Sequence, residues 1–232
     1  MTFEGKTCLI TGAAGNLGRA VASAFASAGA SLLLVDREDQ ALRSAYGSGD
    51  GRKLLVRADL LDAASLAQAI PPGRFAVIDV LCNIAGGFRM GPAVHETPED
   101  LWGLMLDLNA KSVINTARAI VPRMIAAGHG KIVNIAALAG LGGKANMGAY
   151  SASKSAVIRL TESMSAELRD KGINVNCVLP SIIDTPQNRA DMPKADPLRW
   201  VGPDALAEVI LFLASDAARA IHGAAIPVTG RV

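Results

Sequence analysis

Short apolar runs recur along the chain, each followed by a longer stretch in which apolar residues return every three or four positions. The runs Thr7–Thr11, Ser31–Asp36, Lys53–Ala58, Val77–Asn83, Lys131–Ala136, Asn174–Leu179 and Ala225–Val228 are largely apolar and carry little polar alternation. That predicts strands buried on both faces, because a strand with one wet face alternates. The helical period predicts helices at about Asn16–Ala28, Ala63–Ile70, Pro98–Ala127, Ala149–Lys171 and Pro203–Ser215, the third being two helices run together. Strand and helix patterns in alternation predict βαβ units, hence an α/β fold on a parallel sheet. Gly29, Gly128 and Gly172 stand where helices should stop, as a residue free to take positive φ does at a C-terminal cap. Two segments, Gly86–Thr97 and the proline-rich Ser181–Gly202, show no regular pattern. Irregular segments after strand ends are where open α/β sheets bind ligands.

A length of 232 residues, half of them hydrophobic and 19% charged, predicts a single domain over 1–232 with one well-filled core. With 23 basic and 21 acidic residues scattered along the chain, net charge is only +2, and no footprint for a nucleic acid backbone is visible. No apolar stretch approaches the roughly 20 residues that cross a bilayer, and the first residues lack the order of a signal peptide. No membrane association is expected, and the expected location is cytoplasmic. Cys8, Cys82 and Cys177 lie singly in apolar runs, so they read as buried thiols in a reducing compartment rather than a disulfide or metal framework.

The first strand runs into Thr11-Gly12-Ala13-Ala14-Gly15-Asn16-Leu17-Gly18, and a helical pattern follows. Glycines there let the chain turn sharply and bring backbone N–H groups to a pyrophosphate, whose charge the helix N-terminus favours. An acid, Asp36, ends the second strand. A carboxylate at that point accepts both ribose hydroxyls and repels a 2′-phosphate, favouring NAD, while the adjacent Arg37 leaves NADP open. Asp59-Leu60 after the third strand is expected at the adenine, and Asn83-Ile84-Ala85-Gly86 after the fourth at the cofactor floor.

Tyr150 and Lys154 are four apart at the start of a helical pattern, so phenol and ammonium share a face. An unperturbed phenol, with a pKa of about 10, is a poor acid or base at neutral pH. A neighbouring ammonium favours the phenolate and is expected to bring it toward the working range. Lys154 would also hold the nicotinamide ribose.

Together these residues resemble the short-chain dehydrogenase/reductase family across nearly the whole chain: the Thr11–Gly18 loop, Asp36, Asp59, the Asn83–Gly86 run, Asn109 in Asp107-Leu108-Asn109-Ala110, Tyr150, Lys154, and Pro180-Ser181-Ile182-Ile183-Asp184-Thr185. The resemblance implies a doubly wound, Rossmann-type sheet of about seven strands with helices on both faces. It implies Tyr150 as proton donor or acceptor, Lys154 as its electrostatic partner and Asn109 holding a water in a proton relay. It further implies Pro180, Ile183 and Thr185 at the nicotinamide end, a small-molecule substrate, no metal, and a homodimer or homotetramer built on the long helices.

Two departures stand out. Gly15 follows Gly12 by three residues where most members have four, and the serine usual thirteen residues before the tyrosine is Ala137. Both resemble the dihydropteridine reductase branch, as do Asp79–Gly87 and the stretch from Val178 through Trp200. Three functions are therefore open: hydride transfer on a small carbonyl or alcohol, quinonoid dihydropterin reduction, or a sensor or scaffold that binds the dinucleotide without chemistry. Phe88, Met90, Met147, Met192 and Trp200 on the substrate side suit a flat or hydrophobic molecule, or else pack the lid.

Overall fold

The structure, a computed structural model, describes every residue except Pro72 and Arg74. Among the described residues one seven-stranded sheet forms from β1 (Thr7–Thr11), β2 (Ser31–Asp36), β3 (Lys53–Arg57), β4 (Val80–Asn83), β5 (Gly130–Ile135), β6 (Ile173–Pro180) and β7 (Ala225–Val228). The order is β3-β2-β1-β4-β5-β6-β7 and every neighbouring pair is parallel. The winding direction reverses between β1 and β4, which opens a crevice at their C-terminal ends. The helices are α1 (Asn16–Ser27), α2 (Asp39–Tyr46), α3 (Ser65–Ala69), α4 (Glu99–Leu106), α5 (Ser112–Ala127), α6 (Gly148–Leu168), α7 (Pro186–Asp191) and α8 (Pro203–Leu213).

Strand alternation sorts the apolar residues onto two faces. Cys8, Ile10, Leu32 and Leu34 meet Val21 and Phe25 of α1 and Leu206 and Ile210 of α8. Their sequence neighbours Leu9, Leu33 and Leu81 meet Ile120 and Met124 of α5 on the other side. Both faces are therefore dry, which is why the strands read as continuous apolar runs. β6 also buries Asn174 and Asn176, whose amides donate to the carbonyls of Arg219 and Ile221, pinning the segment before β7. All three cysteines are buried and unbridged.

The expected elements form, with three informative differences. β4 begins at Val80 rather than Val77, its ladder with β1 starting at the pair Cys8 and Val80. The stretch from residue 98 to 127 is, as expected, two α-helices run together, joined through a π-helical turn, Asp107–Lys111. α2 is not among the expected helices; it is short, buries only Leu42 and carries an Arg43–Asp39 pair at 2.7 Å. The segment 181–202 is not wholly irregular: Thr185 caps α7 by accepting from Asn188 N–H at 3.1 Å, with Pro186 in the first turn. Gly29, Gly128 and Gly172 do take positive φ at helix ends. Among the described residues no helix is long and apolar enough to cross a membrane.

At the N-terminal edge of the sheet Asp79 accepts from Thr7 N–H at 2.8 Å and pairs with Lys6 at 3.2 Å and His129 at 2.9 Å. Both of its oxygens are engaged in tying β1, β4 and β5 together. All candidate chemistry lies at the opposite edge.

Candidate active site

The turn from β1 to α1 is shaped by backbone contact. Gly12 holds φ at +62°, and a Cβ there would sit 2.9 Å from the Ala85 backbone. A Cβ on Gly18 would run into the Gly12 carbonyl and lie 2.8 Å from Ala13 Cα. Gly15 is the N-cap of α1 and supplies no side-chain capping bond, so the first-turn N–H groups are left without a cap. Leu17 buries its side chain in the core and offers only its backbone, while Asn16 accepts from Arg19 at 3.0 Å. Thr11 Oγ1 accepts from the N–H groups of Ile84 and Ala85, both at 3.1 Å, clamping this turn to the one after β4. A cradle closed to side chains yet lined with free donors fits a pyrophosphate.

Asp36 reaches back to the same turn, accepting from Ala14 N–H at 3.1 Å. Arg37 is turned outward onto Glu38 at 3.2 Å, both exposed. Asp59 accepts from Leu61 N–H at 2.9 Å, and the Leu60 carbonyl accepts from Asn115 at 2.8 Å, so this pair is braced at the lip of β3.

Behind the floor, the Asn83 amide donates to Asn134 at 2.8 Å and its oxygen accepts from Thr116 at 2.8 Å. Asn134 in turn donates to Thr161 at 2.9 Å. The Asn83 side chain thus turns into the core as scaffold, while Ala85 packs against Gly12 at the head of the turn that follows β4. A Cβ on Gly86 would lie 2.7 Å from Asn109 Oδ1 and 3.3 Å from Lys154 Nζ. Asn109, on the π-turn, accepts from Gly87 N–H and donates to the Gly87 carbonyl, both at 3.0 Å, and also donates to Ser153 Oγ at 3.0 Å. Both of its amide N–H groups are therefore engaged in joining the β4 loop to α6.

Tyr150 and Lys154 do share a face, with the Lys154 Nζ 6.0 Å from the Tyr150 ring centre. Lys154 is buried and donates to the Ile135 carbonyl at 2.9 Å. The electrostatic expectation needs correction. Burial pushes the Tyr150 phenol up to about 12, and burial pushes Lys154 down to about 8. Desolvation disfavours the charged form of each and is the leading cause of both shifts.

Pro180 ends β6, and Ile183 bridges in parallel to Val201 while its carbonyl accepts from Asn188 at 2.8 Å. Thr185 Oγ1 accepts the capping N–H yet keeps its own proton to donate. Ala137 follows β5 and is buried, bringing no hydroxyl to the wall. Phe88 stands edge-on to Tyr150 with ring centres 4.9 Å apart, whereas Trp200 is buried in the packing of the 181–202 segment. Tyr46 and Ser153 escaped the sequence reading, and Thr11 entered it only as the first residue of the glycine turn. Tyr46 donates to the Ala13 carbonyl at 2.6 Å from α2, a short helix not among those expected, and Ser153 lies three residues beyond Tyr150, where spacing alone could have marked it. Among the described residues no cluster of His, Cys, Asp or Glu could hold a metal ion.

The sequence model described as short chain dehydrogenase matches residues 6–196. The chain is 35% identical over 243 residues to the 3-oxoacyl-acyl-carrier-protein reductase of Thermotoga maritima, covering 99% of this chain and 98% of that protein. A solved NAD+-bound xylitol dehydrogenase superposes with a TM-score of 0.89 at 28% identity, over 99% of this chain and all of the other. A Beutenbergia cavernae protein crystallised with NADP superposes with a TM-score of 0.88 at 32% identity, over 99% and 97%.

Proposed function

The chain belongs to the short chain dehydrogenase family, and from that premise we propose that it moves a hydride between a nicotinamide dinucleotide and a small carbonyl or alcohol, with Tyr150 as the acid and base. The observation that carries this reading is the convergence of Gly86, Asn109, Tyr150 and Lys154 beside an uncapped, glycine-shaped helix N-terminus.

The dinucleotide supplies or receives the hydride when bound. The turn from Gly12 to Gly18, with its free N–H donors, holds the pyrophosphate. Asp36 takes the adenosine ribose hydroxyls and disfavours a 2′-phosphate; with Arg37 turned onto Glu38, NAD is the proposed partner, and NADP the weaker one. Asp59 and Leu60 border the adenine, Ala85 and Gly86 form the floor, and Pro180, Ile183 and Thr185 flank the nicotinamide end.

A phenol held up at about 12 keeps its proton, the state needed to donate to a carbonyl oxygen as hydride arrives. In the reverse direction the phenolate must form, and Lys154, protonated below about 8, is a cation placed to favour it. Asn109 holds the Gly87 backbone and Ser153 in fixed relation to that pair; with both amide N–H groups taken, a relay water would be held by the second lone pair of its Oδ1. With Ala137 in the wall, the substrate oxygen depends on Tyr150 for its hydrogen bond. Quinonoid dihydropterin reduction and non-catalytic binding are not favoured, because the named relatives are a carbonyl reductase and a dehydrogenase. We further propose one domain over residues 1–232, working in the cytoplasm as a homodimer or homotetramer; exposed Trp102, Leu104 and Ile114 on α4 and α5 support pairing there.

Tyr150→Phe removes the proton and leaves the ring. Steady-state turnover with NADH and a ketone panel should fall at least 100-fold, a typical share for general acid catalysis, while nucleotide binding by fluorescence persists. Turnover within threefold of wild type would overturn the assignment.

A further inference from the structure

The loop after β4 makes an arch with two fixed feet. Gly87 is held to Asn109 by a reciprocal pair of 3.0 Å hydrogen bonds, and Gly91 N–H donates to the Asn146 carbonyl at 2.8 Å. Each foot is a close approach: a Cβ on Gly91 would lie 3.0 Å from Leu101 Cδ2, and one on Gly87 3.2 Å from Leu108 Cδ1. Asn146 is the only non-glycine with positive φ among the described residues, at 61°, and it stands just before the N-terminus of α6. A left-handed residue other than glycine marks a position that its surroundings over-determine. Here that conformation aims its carbonyl at Gly91.

Between the feet stand Phe88, 42% exposed, Arg89, and Met90, 63% exposed. Phe88 nonetheless has a defined place, its ring edge-on to Tyr150 at 4.9 Å and 86°. An aromatic ring that is held beside the acid and base group and still half open to solvent offers an apolar surface to whatever is bonded to the reacting carbon. The segment after β5 that leads to Tyr150 begins Ala137-Leu138-Ala139 and brings no side-chain hydroxyl. Hydroxyls flanking the reacting carbon would find an aromatic face and an apolar segment rather than matched partners, and desolvating them there works against a polyol.

We propose that Phe88 is the specificity-determining residue of this site, selecting a ring or conjugated group attached to the reacting carbon over a polyhydroxylated chain, and that Asn146 is the positioning residue that sets it. The proposal rests on the reading of Tyr150 as the acid and base. It is tested with the full-length protein and NADH on two probes, cyclohexanone and a six-carbon ketose. Wild type should show a kcat/KM at least tenfold higher on the ring ketone. Phe88→Ala should cut that ratio tenfold or more, mainly through KM for the ring ketone, with KM for NADH within twofold. Asn146→Ala, which strains the left-handed position, should lower the ratio as Phe88→Ala does, and Asn146→Gly, which adopts it freely, should restore it. Preference for the ketose, turnover of neither probe, or a ratio indifferent to Phe88→Ala overturns the proposal. The two readings fail separately: if Tyr150→Phe keeps turnover on both probes, the acid and base reading fails; if it abolishes turnover while Phe88→Ala leaves the ratio unmoved, only the specificity reading does.

Discussion

Replacing Lys154 by methionine should erase a pH dependence of stability that the wild-type protein carries between pH 7 and 9.5. The ammonium is buried, has no carboxylate partner in its hydrogen bonding, and is pushed by desolvation from 10.5 to about 8. In that interval the unfolded chain binds a proton that the folded chain has released, so stability rises with pH. At pH 7 the folded state bears nearly the whole gap, between two and three pKa steps at ~1.36 kcal/mol each, or about 3 kcal/mol. By pH 9.5 the folded lysine is neutral and about 1 kcal/mol remains, leaving a rise of about 2 kcal/mol. The Tyr150 phenol, raised to about 12, acts in the opposite sense but only above pH 10, and so stays outside the window. The Cys177 thiol interacts with Lys154, but burial raises it to about 11, so in the folded protein it stays neutral across the window with or without the lysine and its contribution cancels in the difference between wild type and Lys154→Met. The measurement is urea unfolding of both proteins at fixed concentration, without nucleotide, at half-unit steps. Stability of wild type minus that of the variant should climb by about 2 kcal/mol from pH 7 to 9.5. A flat or falling difference would refute the claim that burial sets this lysine's charge.

Three further outcomes follow from the packing. Gly18→Ala places a methyl against the Gly12 carbonyl and Ala13, so urea unfolding should show a loss of about 1–3 kcal/mol and nucleotide titration should show weakened binding; an unchanged affinity would count against the cradle. Asp36→Ser removes the carboxylate that a 2′-phosphate must face, and the NADPH to NADH ratio of kcat/KM should rise at least about tenfold, roughly one close charge repulsion relieved near the surface. Asn134→Leu leaves the Asn83 amide and Thr161 without their buried partner, a cost of about 2–4 kcal/mol in unfolding free energy; a loss under 1 kcal/mol would mean the network is dispensable.

The expected core elements lie where contiguous residues were enough to specify them. A doubly buried strand such as Thr7–Thr11, a helix that starts at a glycine turn, and a stop at Gly128 are each encoded within a few neighbouring positions. The same holds for Tyr150 and Lys154, whose shared face follows from helical pitch alone. What escaped that reading depends on residues far apart in the chain. The helix carrying Tyr46 is only eight residues long and polar on average, and what its phenol does is set by the Ala13 carbonyl, 33 residues away in sequence. Asn83 turns inward because Asn134 and Thr116, from other elements, close on it. The ionisation of Tyr150 and Lys154 was misjudged because spacing reports who is near, whereas burial, a sum over the whole fold, decides what each charge costs. The grip of Asn146 on Gly91, joining positions 55 apart in sequence, exists only once the sheet has brought their loops to one edge.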